Sequence, residues 1–187
     1  MASRGINYFS YINEKYNKRE PIPVRYKPRV FISHQKKDSD VANIVAEYLL
    51  DAGIDIYFDQ LDKSIDRSDP HSVVTAIRRG IENSSHMLVL FSQNTFGSMW
   101  VPWEIGYAYN SAISLNVLRM KGVTKEQLPE YLKVVKMVMS IYQLNDLIST
   151  LRGISRDSFL LENSLFSENN VSHPLSRIMD SYAPFTL

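Results

Sequence analysis

The chain has no cysteine, so disulfides, thiolate nucleophiles and zinc–thiolate centres are excluded. It has no basic excess either: 21 Lys and Arg against 20 Asp and Glu leave a formal charge of +1. A dedicated nucleic-acid binder carries a strong positive balance. The clusters RYKPR (25–29) and Lys36-Lys37 are too short to supply one. No apolar run approaches the roughly 18 residues needed to cross a bilayer. The opening MASRGINYFSYINEKYNKRE lacks the apolar stretch of a secretory signal. These absences predict a cytoplasmic protein with no nucleic-acid or membrane partner.

Several chemical signatures are missing as well. No G-x-G-x-x-G follows the first apolar strand and no G-x-x-x-x-G-K-[ST] occurs, which argues against a dehydrogenase-type or P-loop grip on a nucleotide. A phosphoryl-accepting receiver needs acidic residues at the end of its first strand, where this chain has Ser33-His34. No G-x-S-x-G elbow offers a hydrolase nucleophile. His34, His71, His86 and His173 lack metal-ligand spacing, so no metal is expected.

What is present is an ordinary globular composition, 44% hydrophobic and 22% charged over 187 residues, enough for one domain with a substantial core. Residues 1–20 carry a loose helical stripe (Ile6, Tyr8, Phe9, Tyr11, Ile12, Tyr16), and the prolines of PIPVRYKP (21–28) predict an extended connector. RVFIS (29–33), IDIYF (54–58) and HMLVLF (86–91) are apolar strands, with VLRM (117–120) and VVKMVMSI (134–141) as further candidates. A helix capped within Asp38-Ser39-Asp40 runs from Val41 to Ala52 and stops at Gly53. Another starts at Asp69-Pro70 with Val73, Val74, Ile77 and Ile81 inward. TKEQLPEYL, IYQLNDLISTL and LSRIMDSY read as helical, with a loop between the last two. This alternation predicts an α/β fold: a parallel sheet of about five strands with helices on both faces.

In such a sheet a ligand sits beyond the carboxyl ends of the strands, where strand order reverses. For a flavodoxin-like order that crevice lies between the first and third strands, bordered by Ser33-His34-Gln35 and Ser92-Gln93-Asn94. The third helix opens onto it, with Ser98 as N-cap, Pro102 in the first turn, and Trp100 and Glu104 one turn apart on one face. Two readings stay open at this point. Glu104 is either a carboxylate placed near a helix start, where the dipole favours it, or a group held there to act on a bound molecule. The loop DQLDKSIDRSDP (59–70) is long for a compact domain, as functional loops are.

Two blocks resemble a family. VFISHQKKDSDVANIVAEYLLDAGIDIYFD (30–59) is similar to the opening of a TIR domain, and SQNTFGSMWVPWEIGYAY (92–109) resembles the TIR pattern S-x-x-x-x-x-S-x-W-x-x-x-E. The resemblance covers about residues 28–145, leaving 1–27 as an N-terminal extension and 146–187 as a C-terminal helical extension. It departs from plant and animal TIR domains at Val101, where cysteine is common. The overall pattern looks most like the TIR component of the Thoeris anti-phage system, which makes a cyclic ADP-ribose isomer that activates an effector.

The resemblance implies a flavodoxin-like TIR fold, NAD as substrate rather than cofactor, and Glu104 as the catalytic residue. Ser33, His34, Gln35, Asp59, Ser72, Ser92 and Trp100 are the expected substrate contacts, Ser72 through free N–H groups in the first turn of its helix facing a phosphate. A diffusible nucleotide product would reach a downstream effector, and self-assembly is a further expectation. Two rivals remain: a TIR module that signals only by assembly, and a flavodoxin-like domain that binds the dinucleotide without consuming it.

Overall fold

Alternate residues of a strand point to opposite faces of the sheet, and two hydrophobic cores follow that parity. The structure is a computed structural model describing residues 3–8, 28–58 and 68–183. Its sheet contains β1 (Arg29–Ser33), β2 (Asp55–Tyr57), β3 (His86–Phe91), β4 (Ser114–Arg119) and β5 (Lys136–Val138). They lie in the order β2-β1-β3-β4-β5, and every pairing is parallel. This is the expected flavodoxin-like arrangement, with the reversal of strand order between β1 and β3.

The helices are α1 (Ser39–Asp51), α2 (Pro70–Glu82), α3 (Trp100–Asn110), α4 (Glu130–Lys133), α5 (Ile141–Arg152) and α6 (Arg156–Glu162). Val30, Ile32, Ile56, Leu88, Leu90 and Leu118 join the core containing the inward residues of α1 and α5 and, beyond them, Phe159, Phe166, Leu175 and Met179. Phe31, Tyr57, Met87, Val89, Phe91 and Val117 join the other, with Ala76, Ile77 and Ile81 of α2 and Val101, Ile105 and Ala108 of α3. Gly80 in α2 is required by this packing, because a Cβ there would meet the Tyr57 ring at 2.1 Å.

The structure differs from the sequence expectations in several places. Residues 6–8 run alongside β2 in extended form, bonded from Ile56 N–H to the Ile6 carbonyl and from Tyr8 N–H to the Ile56 carbonyl. The helical stripe expected there therefore does not include Ile6 or Tyr8, and its remaining positions lie outside the described residues. So does nearly all of the expected extended connector, 21–27. Asp38 occupies the N-cap position of α1 but makes no capping bond with its side chain. Of TKEQLPEYL only the last three residues are helical, in α4 (Glu130–Lys133). The strand expected over 134–141 shrinks to Lys136–Val138, since Ser140 caps α5 through the Gln143 N–H. LSRIMDSY forms successive turns instead of a helix, and the loop before it contains α6.

Candidate active site

β1 ends at Ser33, which has the parity of Phe31 and so points to the α3 side of the sheet. The N-cap position of α3 is Met99, not the expected Ser98, and Met99 has no side chain able to cap; Ser98, one residue earlier, still accepts the Val101 N–H through its Oγ at 3.1 Å. Val101, Ile105 and Ala108 anchor the helix in the core, and Glu104 lies between them in sequence on the buried side. It is only 7% exposed. Ser33 Oγ donates to Glu104 Oε2 at 2.5 Å, joining residues 71 positions apart at the switch point.

The carboxylate opens onto a cavity of about 410 Å³, within the ~300–1,000 Å³ typical of small-molecule sites. His34, Gln35 and Lys36 border it after β1; Gly97, Ser98, Met99 and Trp100 border it ahead of and within α3; Val73 and Ile77 of α2 form an apolar wall. Among the described lining residues Glu104 is the one acid and Lys36 the one Lys or Arg. Trp100 is 44% exposed and stands at the rim, edge-on to Trp103 with ring centroids 5.9 Å apart. The His34 ring lies 5.2 Å from that of Phe58, just past β2.

A second polar cluster joins the two loops that form the cavity walls. Asp38 receives Ser92 Oγ–H at 2.6 Å and Asn94 Nδ2–H at 2.6 Å. Ser92 Oγ accepts the Asn94 N–H at 2.9 Å, while its own N–H donates to Thr95 Oγ1 at 3.0 Å. Asp38 thus ties the segment after β1 to the segment after β3, a distant partnership that displaces the local cap expected of it.

The structure brings Glu104, His34, Gln35 and Trp100 together around one cavity; Ser33, expected as a substrate contact, is buried behind Glu104 with its hydroxyl bonded to that carboxylate and is not among the described lining residues. Ser92 is placed behind the wall with its hydroxyl engaged by Asp38, and it is not among the described lining residues. Ser72 lies in the first turn of α2, also away from that lining. The first-turn N–H groups expected to be free for a phosphate are not: Asp69 accepts from both His71 and Ser72. Asp59 lies outside the described residues. Sequence reasoning left out Val73, Ile77 and Met99, whose apolar character gave no chemical signal, and Asp38, whose bonding partners are more than 50 positions away.

Residues 30–145 match the TIR domain family, and the chain belongs to that family. Over 80 residues it is 30% identical to the probable 3' cyclic ADP-D-ribose synthase ThsB' of Bacillus cereus (strain MSX-D12). The aligned stretch covers 42% of this chain and 42% of that relative. Among the described residues no helix is long and apolar enough to cross a membrane, and no cluster of His, Asp or Glu has the geometry to hold a metal ion.

Proposed function

We propose that this chain cleaves NAD at the bond between nicotinamide and ribose and releases an ADP-ribose signal. The observation that carries the reading is Glu104, a buried carboxylate held by Ser33 at the floor of a ligand-sized cavity at the sheet's switch point.

The chemistry needs little more than one negative charge. As the glycosidic bond breaks, its electron pair goes to the pyridine nitrogen, so a cationic ring leaves as neutral nicotinamide. The leaving group requires no proton, and the partner acid used by most glycosidases is unnecessary. Positive charge develops instead on the ribose, which Glu104 stabilises electrostatically in a site with restricted water. Water then captures the ribosyl centre to give ADP-ribose and a proton. Alternatively, a nucleophile of the adenosine half closes a ring and loses its proton, as proximity favours when the two ends are held together. The activity in the relative's name favours ring closure. His34, Gln35 and Trp100 supply the polar and aromatic contacts at the mouth, and the product reaches a downstream effector by diffusion in an anti-phage response.

The test is a metabolite profile of phage-infected cells carrying wild type or Glu104→Gln. Wild type alone should consume NAD and accumulate nicotinamide with a new ADP-ribose species. Equal NAD loss in the variant sinks the proposal.

A second reading draws on the aromatic face of α3, where Met99 is 87% exposed beside partly exposed Trp100 and Trp103. Such a surface suits self-association. If assembly were the whole function, Glu104→Gln would signal normally and loss of Trp103 would abolish the response without any change in NAD.

A further inference from the structure

Ser33 on β1 donates to Glu104, and the bond has features that a surface contact lacks. Both residues are buried, Ser33 at 1% exposed, and the two sit on elements of different kinds: the end of a parallel strand and the second turn of a helix. Neighbouring pairs of β1 with β3, from Val30 with His86 to Ser33 with Val89, fix the serine's position along the sheet. Val101 and Ile105 fix the rotation of α3 about its axis. The distance between hydroxyl and carboxylate is therefore set by the core, not by two flexible side chains finding each other.

We infer that Ser33 is a positioning residue for Glu104: its hydroxyl hydrogen is committed to Oε2, holding the carboxylate in one rotamer facing the cavity. The inference rests on the reading of Glu104 given above and adds a role to it. Glutamate has three side-chain torsions, and a carboxylate that must meet a charge developing at one ribose carbon cannot be free in all of them. A hydroxyl is suited to the task because it donates a single hydrogen and carries no charge that would neutralise the acid. A lysine or arginine in its place would hold the carboxylate as well but would cancel the field that the reaction uses. Ser33 itself makes no claim on the substrate in this arrangement, unlike His34 and Gln35, which line the cavity directly.

The experiment compares wild type, Ser33→Ala, Glu104→Gln and the double variant by steady-state and single-turnover nicotinamide release, with Tm measured for each. A charge-assisted bond that serves the transition state predicts that Ser33→Ala lowers kcat by about 10- to 100-fold. KM should stay within about twofold, because uniform substrate binding is untouched. On the Glu104→Gln background the same change should cost nothing further, since the two residues act as one unit. A purely structural serine would lower Tm and leave kcat per folded molecule alone, which overturns the inference. So does a rise in KM at constant kcat, or an equal loss on both backgrounds, either of which makes Ser33 a substrate contact. If Ser33→Ala folds poorly, Ser33→Thr, which keeps the hydroxyl, is measured instead: kcat near wild type supports the inference, and a loss of kcat of about 10-fold or more in a folded Ser33→Thr overturns it. A wild type that releases no nicotinamide while folded and substrate-bound removes the reading of Glu104, and this inference falls with it.

Discussion

Two buried polar clusters occupy opposite sides of one sheet, and they differ in what lies beyond them. On the α3 side, Ser33 donates to Glu104, which lines a cavity. On the α1 and α5 side, Tyr48 donates to Asn145 Oδ1 at 2.5 Å, Asn145 Nδ2 donates to the Phe166 carbonyl at 2.8 Å, and the Leu175 N–H donates to His173 Nδ1 at 3.1 Å. The His173 ring sits 3.3 Å from the Tyr48 hydroxyl through Nε2, and burial pushes the Tyr48 phenol well above its usual range, so it remains a donor. Glu168, also buried, is paired with Arg156. Each of these polar groups has a protein partner and none of them lines the cavity. The difference separates two settings of a buried polar atom: where all partners are internal the cluster specifies packing, and where one side is left open to a ligand-sized space it is available for the chemistry proposed above.

The comparison breaks most visibly by removing apolar support on the closed side. Phe159 is fully buried and stacks on Phe166 with centroids 4.6 Å apart. Phe159→Ala should cost about 3–5 kcal/mol, lowering Tm by about 10 °C or more for a chain of this size. Nicotinamide release per folded molecule should be unchanged. If kcat falls in step with Tm, the two sides are coupled and the division fails. On the open side, Glu104→Gln should do the reverse: turnover falls at least ~100-fold, the low end for a charge-stabilising group, while Tm is unchanged or higher. Functional carboxylates commonly cost stability in this way. Thermal melts beside activity assays on both variants settle the contrast.

How much of this contrast was legible follows from the range of each signal. RVFIS and HMLVLF were readable because a continuous apolar run is what a doubly covered parallel strand requires. The switch-point rule then placed Glu104 and Ser33 at one crevice before any coordinate. The C-terminal stripe was half legible. Leu175, Ile178 and Met179 are spaced as on a helix and all are buried, yet the backbone meets that spacing with consecutive turns, the Ile178 and Met179 N–H groups both reaching the Leu175 carbonyl at 2.9 Å. Spacing shows which side chains face inward, not how far a helix continues. Asp38 was misread because capping is a local rule, while its true partners, Ser92 and Asn94, arrive through the β1–β3 pairing. The same pairing withdrew Ser92 from the cavity.

Asp38 is the intermediate case, a closed cluster built into the walls of the open one. Asp38→Ala removes two charge-assisted bonds that hold the loops together. The change should cost about 1–3 kcal/mol of stability and lower kcat/KM by about tenfold through misplacement of the walls. An effect on stability with kcat/KM untouched would show that the loops hold their places without this tie, and Asp38 would then belong wholly to the packing class.

The smallest expected effect is a pH dependence confined to the closed side. Burial holds His173 below its ordinary value of 6.5, with the nearby Glu168 carboxylate and the Phe166 backbone pulling it part of the way back. The folded chain therefore takes up this proton less readily than the unfolded chain. The stability that His173 contributes is complete above about 6.5 and is lost as pH falls through that region toward the lowered folded value. Protonation also ends the acceptance of the Leu175 N–H at Nδ1, so the charge arrives together with a broken bond. His86 has the same sign, lowered by burial and by Lys136, and provides a background that a change at His173 does not remove. His173→Asn keeps an acceptor two residues before Leu175, as Asx turns do, but cannot titrate. Between about pH 7.5 and about pH 5.5 the wild-type Tm should fall about 2–4 °C further than that of the variant. Equal slopes would mean that His173 is solvated before the chain unfolds, and that the C-terminal turns open as a separate unit while the cavity side stays intact.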